Sequence, residues 1–429
     1  MKRLLTHITF VYSIVLFGQN YTLSDSLQQQ YSFINWEANN IKHADSAIAF
    51  KKLYQKLDNI YNNKEEKLHV FHIGGSHIQA DIYSNRLRHY LQNISPKAKG
   101  QRGLIFPYKM AKTNNPLNYK VTFDGEWKGY RCSRNDSVAW GLSGVSAKFK
   151  DSIANITVKA NYKNYSKNMY GFNKLRVFYD EWTTDYEVFV SNQNLVAKTA
   201  INSDAHYIEF TLNKTVSELD FCIKRTDDSE DAEFLMMGLE LMNNNSGIEY
   251  TTIGVNGASF AFYDRCAYFE KQLLLYKPDL FIISIGTNDT YTTDFKPQKF
   301  KAYYEQLIGY IQKANPDCAI LLTVPNDSYY KRQHANPNTK VAAEVIYELS
   351  EQYQMAVWDL YEIMGGFNSS QKWYTNKLMP KDRIHFTRKG YDIKADLLLK
   401  ALVNSWEQEM NYPSGSILKK IIKQEHHFE

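Results

Sequence analysis

The sequence predicts an α/β protein, a doubly wound parallel sheet interrupted by an antiparallel β-sandwich of jelly-roll type. Three observations predict it. Apolar runs alternate with helical patterns near both ends of the chain, as parallel strands joined by crossover helices require. From about Lys112 to Asn245 helical periodicity fades, and short runs of period-two alternation take over. Three polar motifs, around Ser76, Asn288 and His385, each follow a strand-like run, where open α/β sheets build their sites.

The elements follow in order. Met1-Lys2-Arg3, an apolar stretch from Leu4 to Phe17 and Gly18 form a secretory signal pattern, residues 1–18. The stretch is short for a membrane span and carries Thr6, His7, Thr9 and Ser13. A periplasmic or secreted protein is expected, with no stable membrane insertion after cleavage. Residues 24–62 suit one or two polar-rich helices. Leu68–Ile73 suits a buried strand, Gly74-Gly75 a sharp turn, and Asp81–Gln92 a helix with Tyr83, Leu87, Tyr90 and Leu91 at helical spacing.

Six runs within 112–245 suit strands: 156–160, 175–179, 186–190, 206–212, 219–223 and 234–239. The α/β pattern then resumes with strand 279–285 and helix 298–314, whose Phe300, Tyr304, Leu307 and Ile311 share a face. Strand 319–324, helix 339–353, strand 355–360 and helix 388–403 complete it. The α/β domain is therefore discontinuous, 19–111 and 246–411, with 112–245 inserted. Residues 412–429, after Pro413-Ser414-Gly415, are expected as a peripheral charged tail.

Composition excludes some function classes. The formal charge of +5 falls by two when Lys2 and Arg3 leave with the signal, which argues against a nucleic-acid partner. Cys132, Cys222, Cys266 and Cys318 follow no metal-ligand spacing. An oxidising compartment permits a Cys132–Cys222 pair; buried free thiols are equally compatible.

The three motifs supply complementary chemistry. The strand-to-helix turn presents the Ser76 hydroxyl and leaves its N–H without an intrahelical partner. A serine needs an adjacent base, and His385 is the candidate, with Asp382 three residues earlier to fix its tautomer. Asn288, in the loop after strand 279–285, can donate its side-chain amide to a developing oxyanion. Each motif alone is ordinary turn chemistry. Their placement at strand ends of an α/β pattern is what points to a site.

Taken together, Ser76, Gly257 in Ile253-Gly254-Val255-Asn256-Gly257, Asn288 in Gly286-Thr287-Asn288-Asp289, and the Asp382-x-x-His385 pair resemble the blocks of the SGNH (GDSL-type) hydrolases. The resemblance runs from Leu68 to Arg102 and from Gly247 to Trp406. It implies a flavodoxin-like sheet, Ser76 as nucleophile, His385 as base and Asp382 as its partner. It also implies an oxyanion hole from the amides of Ser76 and Gly257 and the Asn288 side chain. One departure is plain: Gly75 stands where the family usually has Asp.

An exported domain of this kind, interrupted after its first block, is similar to the peptidoglycan O-acetylesterases. Ser76–Asp81 and Gly100–Pro107 are similar to that subgroup too, and the insert resembles a carbohydrate-binding module in position and strand pattern. The implied function is an esterase, without metal or organic cofactor, that removes acetyl groups from a cell-envelope polysaccharide, most readily peptidoglycan. The alternatives are an O-acetyltransferase using the same triad and a catalytically silent wall-binding protein.

Overall fold

The computed structural model describes residues 25–45, 47–163, 168–180, 185–226 and 231–426. The expected signal segment, 1–18, lies outside the described residues. By internal contacts the chain divides into Met1–Ser32 and Phe33–Glu429. In the first, Asp25–Gln30 is helical.

The second unit is built on a parallel sheet. Its strands are β1 (Lys67–Gly74), β2 (Gly247–Gly254), β3 (Leu280–Ser284), β4 (Ala319–Val324) and β5 (Ala356–Asp359). They lie in the order β2-β1-β3-β4-β5, and a short strand, Lys42–His43, runs antiparallel along the free edge of β5. That order is the flavodoxin-like one, with the topological switch between β1 and β3. The strands are near-continuous apolar runs because both faces are covered: all of β4 and all of β5 are buried.

Helices flank the sheet: α1 (Ile48–Tyr61), α2 (Ser76–Gln79), α3 (Tyr83–Leu91), α4 (Phe260–Tyr263), α5 (Pro297–Ala314), α6 (Asn338–Tyr353), α7 (Arg388–Glu409) and α8 (Ser416–His426). Pro297 opens α5, where its missing N–H costs nothing. The predicted face of α5, Phe300, Tyr304, Leu307 and Ile311, is buried, each side chain stabilising by about 1.5–3 kcal/mol. The helix expected over 81–92 is present as α3; ahead of it α2 forms a separate turn, set off at Asp81, whose φ of 44° breaks the helical run.

The β-rich region has two antiparallel sheets. The larger contains Phe172–Tyr179, Tyr207–Val216 and Phe234–Met242; the smaller is Lys120–Phe123, Ile153–Lys159, Glu218–Arg225 and Tyr186–Val190. Tyr186 of the smaller sheet meets Phe149 and Phe234 of the larger at ring separations of 6.0 and 5.9 Å. Gly103–Ile105 pairs with Phe234–Met242, so the larger sheet recruits chain ahead of residue 112.

One expectation needs revising, and one open alternative is decided. Residues 416–426 are not a peripheral tail: Ile417, Leu418 and Ile421 are buried, and the Glu407 carboxylate accepts the N–H groups of Gly415, Ile417 and Leu418 at the start of α8. Lys419 and Lys420, between these buried residues, are exposed. The four cysteines are all buried free thiols, so Cys132 and Cys222 are not paired. Among the described residues no helix is long and apolar enough to cross a membrane.

Candidate active site

Strand β1 delivers Ser76 to the carboxyl end of the sheet. Gly74 is required in the turn, since a Cβ there would lie 2.3 Å from Ile78 Cγ1 and 2.9 Å from the Ser284 carbonyl oxygen. Ser76 then opens α2, and its N–H has no acceptor within that helix. Across the cleft, Thr387 caps α7 by accepting the Gly390 N–H, which leaves Asp382–His385 in the loop ahead of the helix.

The structure brings the three groups into one chain. Ser76 Oγ lies 2.9 Å from His385 Nε2, and His385 Nδ1 lies 2.8 Å from Asp382 Oδ2. With Nδ1–H donated to the carboxylate, Nε2 is left to accept the serine proton. The other oxygen of Asp382 accepts the N–H groups of Ile384 and His385, at 2.9 and 3.1 Å. Burial pushes the Asp382 pKa up, but the bonds from the His385 ring and from these two amides outweigh it. They hold the carboxyl well below its usual range. The side chains of His385 and Asp382 remain 40% and 22% exposed, so the pair is open to solvent.

Asn288 and Gly257 lie together beside this chain. Asn288 Nδ2 donates one hydrogen to the Ala258 carbonyl at 2.9 Å, which leaves its second hydrogen for another acceptor. Asp289 Oδ1 accepts the Phe260 N–H at 3.1 Å, and burial pushes the Asp289 carboxyl up to about 7. Gly257 is exposed with φ of 79°, whereas Gly254 is buried where a Cβ would lie 2.1 Å from the Gln79 nitrogen. Gly254 is thus a packing glycine, and Gly257 is the one facing the cleft. At Gly75, a Cβ would stand 3.2 Å from Asn288 Nδ2, so the residue that departs from the family pattern borders the asparagine amide directly. A cleft of about 410 Å³ opens from Gly257 and Asn288, walled by Phe262, Tyr291, Phe295 and Tyr303.

Neighbouring candidates fall on the structural side. His77 is buried, bonded through Nδ1 to Tyr391 OH at 2.9 Å, with its ring 5.2 Å from that of His385. Burial, then the nearby Lys394 and His385, pull its pKa well below the ordinary value, so it packs as a neutral ring. Trp373 is fully buried and donates to the Met364 carbonyl. The two subgroup motifs also meet: Asp81 accepts both terminal nitrogens of Arg88 at 3.1 Å and lies 3.7 Å from Arg102. Burial raises the Asp81 pKa, but these two guanidinium charges prevail and bring it to about 2.

Gln79, Thr113 and Ser133 were not singled out from sequence. All three touch the loop that carries Gly257. For Gln79 a signal existed, since it stands three residues after Ser76, one turn along the same short helix. Thr113 and Ser133 carry none, being loop residues far along the chain.

A hydroxyl, imidazole and carboxylate in sequence at the carboxyl ends of a parallel sheet define the class: a serine hydrolase on a flavodoxin-like sheet. Residues 232–393 match the GDSL-like lipase/acylhydrolase family, a span that contains Gly257, Asn288, Asp382 and His385, while Ser76 precedes it. The match and the fold together support an SGNH (GDSL-type) hydrolase, an enzyme of the esterase type. Among solved structures it is similar to that of a peptidoglycan O-acetylesterase, at 19% identity and a TM-score of 0.67. That likeness covers 86% of this chain and 99% of the other, and it extends the shared fold to the β-rich region. An acetyl xylan esterase (22% identity, TM-score 0.29) covers 36% of this chain and 80% of its own. An acetylxylan esterase from Geobacillus stearothermophilus (20%, TM-score 0.30) covers 37% and 74%. No curated protein sequence matches the chain.

Proposed function

We propose that this chain is an exported serine esterase that removes O-acetyl groups from a cell-envelope polysaccharide, with peptidoglycan the leading substrate. The observation that carries the proposal is the Ser76–His385–Asp382 chain beside Asn288 and Gly257. In this reading Ser76 Oγ attacks the acetyl carbonyl while His385 Nε2 takes its proton. The N–H groups of Ser76 and Gly257 and the free hydrogen of Asn288 Nδ2 receive the oxyanion. His385 then returns the proton to the departing sugar oxygen, and water, activated by the same base, releases acetate from Ser76.

The polysaccharide class has separate support. The full-length likeness is to a peptidoglycan O-acetylesterase, and the aromatic walls of the cleft suit the apolar face of a sugar ring. The domain limits 19–111 and 246–411 for the hydrolase and 112–245 for a carbohydrate-binding insert belong to the same proposal, as does the signal at 1–18. The complete hydroxyl–imidazole–carboxylate chain speaks against a silent wall-binding protein.

The test is acetate release by the mature protein from O-acetylated peptidoglycan and from acetylated xylan, each against a Ser76→Ala control. Faster, Ser76-dependent release from peptidoglycan is expected. Release from neither, or release that survives the substitution, would overturn the proposal.

A further inference from the structure

We propose that Gln79, Thr113 and Ser133 are positioning residues that aim the Gly257 N–H, so that the β-rich region completes the oxyanion hole. The inference rests on the reading of Ser76 as nucleophile and Gly257 as an oxyanion donor.

The Gly257 N–H belongs to the peptide that joins Asn256 to Gly257. That unit is planar and trans, so its N–H points opposite to the Asn256 carbonyl, and whatever holds the carbonyl aims the N–H. Ser133 Oγ donates to the Asn256 carbonyl at 2.8 Å. One peptide earlier, the Asn256 N–H donates to Gln79 Oε1 at 2.7 Å. Gln79 Nε2 passes the restraint on, donating to Thr113 Oγ1 at 3.1 Å and to the Asn114 carbonyl at 2.9 Å. The Asn256 side chain adds a bond from Nδ2 to Thr113 Oγ1 at 3.1 Å. Both peptides flanking the Asn256 Cα are therefore held, one from the helix that carries Ser76 and one from the β-rich region.

Gly257 needs that restraint. At φ of 79° it uses backbone freedom that glycine alone has at little cost, and an added Cβ would find only Ser133 Oγ, at 4.0 Å. A flip of the preceding peptide would replace a donor by a carbonyl oxygen at the site. Downstream, the loop is anchored by the bond from Asn288 to Ala258 and by that from Phe260 to Asp289. Upstream, the bonds of Gln79 and Ser133 do the same. Gln79 is 1% exposed, so no bulk water can substitute for its partners. A region that only gathered polymer would be dispensable for a small ester; Thr113 and Ser133 make this one part of the catalytic geometry.

The experiment uses the full chain and para-nitrophenyl acetate, too small to reach a polymer-binding surface. Ser133→Ala is expected to lower kcat about tenfold or more with KM within about twofold, a smaller loss than removing an oxyanion donor itself. Ser133→Thr, which keeps the hydroxyl, should recover most of the rate. Thr113→Val, nearly isosteric, should lower kcat in the same sense, and thermal melts should leave all three variants folded. Wild-type kcat in both Ser133→Ala and Thr113→Val would overturn the inference. So would losses that simply track a fall in melting temperature and that Ser133→Thr does not recover. A Ser76→Ala arm separates the two levels: if it keeps the wild-type rate, the Ser76 reading falls and takes the inference with it. If Ser76→Ala is dead while the Ser133 and Thr113 variants stay at wild-type rate, the inference falls alone.

Discussion

The two ends of the parallel sheet differ in what their polar groups do. At the amino ends of the strands lies a cavity of about 450 Å³, larger than the cleft beside Asn288 and bordered by Lys52, Lys56, Lys67, Lys277, Asp279 and Asp317. Two of its lysines are held in ion pairs, Lys52 with Asp317 at 2.7 Å and Lys56 with Asp279 at 3.0 Å. At the carboxyl ends the polar groups form a directed line from Ser76 through His385 to Asp382. Helix polarity explains the carboxyl end. A strand's carboxyl end hands over to a helix start, whose unpaired N–H groups favour developing negative charge. At the amino ends Lys52 and Lys56 sit within the helix Ile48–Tyr61, away from its last turn, and are held by carboxylates instead. Space alone does not mark a site; unpaired donors and an ordered proton path do.

Four substitutions break or sharpen that contrast. Ser76→Ala should lower hydrolysis of an activated acetyl ester by about a thousandfold or more, the scale of losing a triad member, while the melting temperature stays nearly unchanged. Retention of a sizeable rate would move the nucleophile elsewhere. Asn288→Ala should lower kcat by about a hundredfold with little change in KM, because its amide matters once charge develops. A collapse of folding would make it a structural turn residue instead.

Lys394 tests the ground behind the site. It lies over the rings of Tyr83 and Phe386, and burial pulls its ammonium pKa from 10.5 down to about 7. Between those values the unfolded chain binds the proton that the folded chain has lost, so this group makes stability rise with pH from about 7 to 10.5. Lys394→Met removes that term. Its stability gain over the parent, measured by denaturant unfolding, should be largest at pH 7 and below and shrink toward pH 10.5. A pH-independent difference would contradict the burial account. The smallest effect belongs to the opposite end: Lys52→Ala, in an exposed pair, should leave kcat unchanged and cost less than about 1 kcal/mol in the same assay. A loss of activity there would join the amino-end cavity to the reaction.

The legible parts of the sequence were those where local pattern and global fold agree. The α5 face is spelled out by helical spacing and meets a sheet face, so Phe300 through Ile311 could be placed without knowing their partners. Asp382 and His385 were legible because three residues of loop suffice to join them. Gly103–Ile105 was not, since three residues carry too little alternation to betray that their partner is Phe234–Met242, far along the chain. The α8 face was hidden by the lysines around Ile417 and Ile421, which dominate a short amphipathic stretch. Ser133 was hidden for a deeper reason. A single hydroxyl that holds one backbone carbonyl across 123 positions leaves no periodicity, spacing or composition to read.

The central claim, that Ser76 is the nucleophile activated by His385, is tested most directly by active-site labelling. The full chain is treated with a fluorophosphonate and the adduct is located by peptide mass spectrometry, alongside His385→Ala. The account predicts a single adduct on the peptide containing Ser76, formed rapidly by the parent and barely at all by the variant. An adduct on another residue, or equally fast labelling without His385, would contradict it.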